Sequence, residues 1–114
     1  MTTTWIPLDD GATIGQSGSE SGIILRDDEH PLGARITLER GGGTAPYAIT
    51  CGIYGWMMHT HFSAAEAEAQ RDYDRMREAL TSILAGMSDS DSPEDEDRRA
   101  RTVSAIERFV DDFR

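Results

Sequence analysis

Tyr47-Ala48-Ile49-Thr50-Cys51-Gly52-Ile53-Tyr54-Gly55-Trp56-Met57-Met58-His59-Thr60-His61-Phe62, followed directly by Ser63-Ala64-Ala65-Glu66, is where the chain changes character. The first sixteen residues are apolar, aromatic and β-branched, as strands are. As one extended strand they would reach ~50 Å, too long for a small sheet, so the run must break. Gly52 and Gly55 are where it can, and two strands joined near Gly55 are predicted. The four residues that follow have the form of a capping box, Ser63 with Glu66, and open a helical pattern.

Upstream of this boundary the pattern is that of strands and turns. Ala34-Arg35-Ile36-Thr37-Leu38-Glu39-Arg40 alternates. Ala34, Ile36 and Leu38 fall on one face and Arg35, Thr37 and Glu39 on the other, which predicts an antiparallel strand with one wet face. Gly22-Ile23-Ile24-Leu25-Arg26 reads as another strand, and Asp27-Asp28-Glu29-His30-Pro31-Leu32-Gly33 as a turn-rich connection. Trp5-Ile6-Pro7-Leu8 fits a short edge strand, because proline cannot donate to a ladder on both sides. The glycine- and serine-rich segment 15–22 reads as a mobile hairpin loop. Phosphate-cradling loops open onto a helix, and this one opens onto a strand.

Downstream, Ala69, Tyr73, Met76, Leu80, Ile83, Leu84 and Met87 recur at spacings of three and four, the apolar stripe of an amphipathic helix ending near Gly86. A polar link follows. Ser92 then serves as a second N-cap, with Pro93 in the first turn and acidic residues at the positive helix end. Val103, Ile106, Val110 and Phe113 are the predicted buried stripe of this second helix. The fold class that results is α+β. An antiparallel meander of four to five strands (1–62) precedes two antiparallel C-terminal helices (63–114) packed on one sheet face, all in a single domain.

Composition narrows the function classes. The formal net charge is −10, so nucleic acid and anionic membranes are poor partners. No apolar run reaches the ~20 residues of a membrane helix, and the N-terminal residues show no leader pattern, so a soluble cytoplasmic protein is expected. All eleven basic residues are arginine, which leaves no lysine for a Schiff base or a phosphate loop. Cys51 stands alone, so no intramolecular disulfide forms, and it reads as a small buried apolar residue.

Two function hypotheses emerge. The first is a non-catalytic interaction module, either a homodimer or an adaptor for a basic protein. A sheet covered by helices on one side leaves an open face, and Tyr54, Trp56, Met57, Met58 and Phe62 are too many large apolar residues for the covered face alone. The second is a metal-dependent enzyme or sensor. His59 and His61, two apart on a strand, share a face and can offer two imidazoles to a divalent transition metal such as zinc, with His30 as a distant third ligand. Residues 27–29 cluster carboxylates but read as a solvated turn. Residues 89–94 have the acidic rhythm of a calcium loop without its glycine, and Ala100 takes the place of its bidentate glutamate. No cofactor is required by the first hypothesis, and no residue pattern points to catalysis.

Overall fold

The computed structural model of the chain describes residues 4–87 and 95–114, with Asp95 by its backbone only. Five strands form one antiparallel sheet in chain order: β1 (Ile6–Pro7), β2 (Ile23–His30), β3 (Ala34–Arg40), β4 (Tyr47–Ile53) and β5 (Met57–Ser63). Two helices follow, α1 (Glu66–Gly86) and α2 (Asp95–Asp112). Each strand turns back on its neighbour, so the topology is a meander; the connections after β2 are short, whereas residues 8–22 make a long excursion between β1 and β2.

The core lies between the sheet and α1. Ala34, Ile36 and Leu38 of β3 pair across the ladder with Ile53, Cys51 and Ile49 of β4. Paired residues share a face, so six small and apolar side chains form one buried surface. Ala69, Tyr73, Met76, Leu80, Ile83 and Leu84 of α1 close over it as a stripe along the helix. Each large side chain so buried stabilises by ~1.5–3 kcal/mol before conformational entropy is subtracted. α2 adds Phe109 and Phe113. Arg75, midway along α1, lies over the ring of Phe113 just past the end of α2 (5.4 Å), while Ala79, Ser82 and Ile83 further along α1 share a surface groove with Ala105 and Phe109 further back in α2, so the two helices run antiparallel.

Four local expectations are corrected. Residues 27–30 are strand, because their polar side chains find partners on both faces. Asp27 accepts a two-pronged ion pair from Arg35 (3.0 and 2.7 Å) and a bond from the Thr37 hydroxyl (2.9 Å). Asp28 accepts from Tyr73 Oη (2.6 Å) and Arg77 (3.3 Å). His30 packs edge-on against Trp5 with ring centroids 5.1 Å apart. The turn is confined to 31–33, where Gly33 supplies a φ of 106°. The register shift between Ile24 and Arg26 is a bulge that sends Ile24 to one face and Arg26 to the other.

The capping box is not formed. Ser63 remains in the β4–β5 ladder opposite Tyr47, and its hydroxyl donates to Glu68 Oε1 (2.8 Å). Ala65 takes the N-cap position without a side-chain bond, and α1 starts at Glu66. In α2 the buried face is Thr102, Phe109 and Phe113, with Ala105, Ile106 and Val110 partly covered, whereas Val103 is exposed. Two phenylalanines bury more apolar area than one valine, and they set the rotation of the helix. The proposed cap Ser92-Pro93 lies outside the described residues.

The fourth correction concerns the wet face of β3. Thr37 and Glu39 are buried: the segment 15–22 folds across Glu39, and the Thr37 hydroxyl donates to Asp27 (2.9 Å). Glu39 Oε1 accepts from the Gly22 amide (3.0 Å), and its two oxygens accept from the Glu20 amide (3.1 and 3.3 Å). The glycine-rich loop does cradle an anion, and that anion is the chain's own carboxylate.

Candidate functional site: the β4–β5 hairpin and the open face

Gly55, with φ of 82°, occupies the tight connection between β4 and β5, and Trp56 N–H donates to Ile53 O across it (2.9 Å). This turn fixes which residues of β5 face which way. Cys51 pairs with His59 and Ile49 with His61, so Met57, His59 and His61 look toward the helices. Gly52, Thr50 and Ala48 pair with Met58, Thr60 and Phe62, which therefore stand on the open face.

The apolar set named from sequence is divided by this alternation. Met58 is 77% exposed, Tyr54 54%, Trp56 40% and Phe62 39%. Met57 is different: it is half-buried against the core on the helix side and does not belong to the open face. Tyr54 Oη donates to Glu29 Oε2 (2.8 Å), which stands the phenol upright at the end of the sheet.

Between the covering loop and this hairpin the open face holds a groove of about 430 Å³. Thr37, Thr50 and Gly52 line its floor, Ser17, Gly18 and Ser19 one wall, and Tyr54 and Met58 the other. Gly52 leaves the floor low, since a Cβ there would stand 3.1 Å from the Met57 carbonyl. Arg35 reaches the groove with its charge already matched by Asp27. Sequence reasoning missed this feature. The signal available was the serine-glycine segment itself, which needs a surface to fold onto and finds one in the small side chains of β3 and β4.

The histidines are engaged elsewhere. His59 Nε2–H donates to Phe113 O (2.6 Å). His61 Nδ1 lies 3.1 Å from Phe113 O and 3.0 Å from Arg114 O, and its Nε2 lies 3.0 Å from Asp72 Oδ2. The pair anchors the end of α2 to β5. His30 is three strands away on β2, about 14 Å at ordinary strand spacing. Among the described residues no group of three or more His, Cys, Asp or Glu is placed to hold a metal ion. Residues 89–94 lie outside the described residues.

Cys51 is not placed as a nucleophile. Burial pushes the Cys51 thiol up to about 12, so it stays protonated. The Thr4–His30 contact (2.8 Å) runs the wrong way for a general base. Leu32 N–H donates to His30 Nδ1 (3.1 Å), so the ring proton is on Nε2 and points at the threonine. Burial also holds His30 below its ordinary pKa, in keeping with that neutral form.

The surface at the hairpin has one further property. From residue 41 to residue 65 the chain contains no Asp, Glu, Lys or Arg, although it carries 21 acidic and 11 basic residues in all. The apolar side chains of the hairpin thus come from a stretch of sequence without Asp, Glu, Lys or Arg in an otherwise strongly acidic protein, and Arg35 and Glu29 meet them from β3 and β2. No helix among the described residues is long and apolar enough to cross a membrane. No protein-family model, no curated protein and no solved structure matches this chain.

Proposed function

We propose that this chain is a non-catalytic protein-interaction module whose contact surface is the open face of the β4–β5 hairpin, built on Tyr54, Trp56, Met58 and Phe62. The observation that carries the reading is the coincidence of two independent features. Four of the nine exposed large apolar side chains among the described residues, Tyr54, Trp56, Met58 and Phe62, lie on this one hairpin, and the sequence that presents them is free of Asp, Glu, Lys and Arg across 25 residues (41–65). Charged residues are depleted from interface cores, whereas aromatics and methionine are enriched there. A surface meant only for solvent gains nothing from that composition.

The charge-free composition also bears on partner type. A basic protein is drawn to free carboxylates, and the one that meets these side chains, Glu29, already accepts from Tyr54 Oη. An apolar contact is what this surface suits, with the acidic remainder of the molecule limiting contacts elsewhere by repulsion.

The test is oxidative footprinting of Met58, Trp56 and Phe62 in the full chain, purified and dilute, then in an extract of its own cells. The reading requires these side chains to react when dilute and to be protected several-fold in the extract. Met58→Asp should abolish the protection without changing the melting temperature by more than a few degrees. Equal reactivity in both settings rejects the module.

A further inference from the structure

The two edges of the sheet are built differently. β1 is two residues long and ends in Pro7, which has no N–H to offer, and its neighbour β2 carries Asp27, Asp28 and Glu29. Short strands, proline and charge are the means by which edges avoid pairing with other chains. β5 has none of them. It is seven residues long, Met57-Met58-His59-Thr60-His61-Phe62-Ser63, without proline, acid, lysine or arginine, and its ladder with β4 runs without a bulge. Among the described residues no backbone hydrogen bond reaches β5 from outside that ladder. Its outward N–H and C=O groups form an open template.

We infer that β5 pairs antiparallel with β5 of a second copy of this chain, about a twofold axis at Thr60, joining the two sheets into one. The inference rests on the interaction reading above and names its partner. Charge selects the occupant. Two copies each carrying −10 repel over most approaches, and the uncharged span 41–65 is where they can meet. A strand entering this edge must bring no carboxylate, lysine or arginine of its own, and β5 meets that condition. The order of side chains selects the register. With Thr60 facing Thr60, Met58 lies opposite Phe62 of the second copy and Phe62 opposite its Met58, so both exposed apolar side chains of the open face gain an apolar partner. Moving the centre to His59 sets Met58 against threonine, and moving it to His61 sets Phe62 there. A self-complementary patch of this kind is what a twofold contact requires.

Thr60 provides the test, since residues at the axis face their own copies ~4.5–5.5 Å apart. Native mass spectrometry of the full-length chain is run on wild type, Thr60→Asp and Thr60→Lys, each alone and the two variants mixed. The pairing requires a wild-type dimer, dissociation constants at least tenfold weaker for each variant alone, and recovery of a heterodimer on mixing. Misfolding of either variant would not be rescued by its opposite charge. Hydrogen exchange on wild-type protein reads the same contact without mutation: the outward-facing amides of β5 must slow with rising concentration. A wild-type chain that stays monomeric overturns the self-pairing. If Met58 and Trp56 are still protected in extract, the interaction module stands and its partner is a different protein. A dimer indifferent to both Thr60 variants but lost in Met58→Asp also overturns the edge pairing, and points to contact through the open face.

Discussion

Glu39 is 1% exposed, and the groups that meet its carboxylate are main-chain amides. A buried charge with no such donors would cost several kcal/mol; here the Glu20 and Gly22 amides supply them. Packing enforces the arrangement, because a Cβ on Gly18 would stand 2.3 Å from the Glu39 carboxyl carbon. Glycine at that position is therefore needed for close approach. Glu39→Gln keeps the shape but weakens the acceptors and turns an NH2 group toward N–H donors. We expect a loss of ~1–3 kcal/mol, read from the urea midpoint. Amide protection in 18–22 should fall before that of β3 does. A variant with unchanged midpoint and unchanged loop protection would show that the carboxylate does not hold the loop.

At the level of elements, α2 is seated by its last turn. Phe109 and Phe113 pack edge-on against His59 and His61 on the helix-facing side of β5, and Phe113 O and Arg114 O meet the ring nitrogens of the same histidines. Asp72 on α1 holds the far side of His61, so this one ring links both helices to the sheet. His61→Ala should loosen α2 more than the sheet. Hydrogen exchange across 105–113 should quicken about tenfold, equal to ~1.4 kcal/mol, with β3 and β4 unaffected. Equal rates in α2 would mean that the two phenylalanines suffice. The sequence pattern made α1, β3 and the break at Gly55 legible, because periodicity and a glycine turn are local signals. It could not reveal that β2 extends beyond Arg26 through Asp27-Asp28-Glu29-His30. Those polar residues are satisfied by Arg35, Tyr73, Arg77 and Trp5, partners brought together by the fold. Ser63 illustrates a local signal overruled, since a place in the ladder opposite Tyr47 won over the cap. The exposed set was legible as a surplus of apolar side chains, whereas the separation of Met57 from Met58 needed the turn geometry. The groove wall was hidden for the same reason as Glu39: a loop's docking surface leaves no periodic trace.

For the molecule as a whole, three buried groups make stability depend on pH, and Tyr54, raised by burial and its bond to Glu29, adds to the alkaline arm above pH 10. His30 is held neutral by burial, with its pKa below the ordinary 6.5. The unfolded chain takes up that proton first, so the contribution is complete above about pH 6.5 and is lost as pH falls toward the folded value. Cys51 and Tyr73 act in the opposite direction. Burial lifts the thiol from 9.0 to about 12. Burial and then the bond to Asp28 lift the phenol above its ordinary 10.0. Both groups are protonated in the fold and ionise first in the unfolded chain. Their contribution is complete below about pH 9 and drains away as pH rises, at ~1.4 kcal/mol per pH unit for each group in play. Stability should therefore hold level between roughly pH 6.5 and 9, fall with the slope of one group from 9 to 10, and fall more steeply above 10. Urea midpoints measured across this range for wild type and Cys51→Ala separate the two alkaline groups. The variant will be less stable throughout, but its midpoint should stay level to pH 10, because no thiol remains to ionise. The same decline from 9 to 10 in both proteins would show that Cys51 is not the group responsible and that the thiol is not held protonated by its place between β3, β5 and α1.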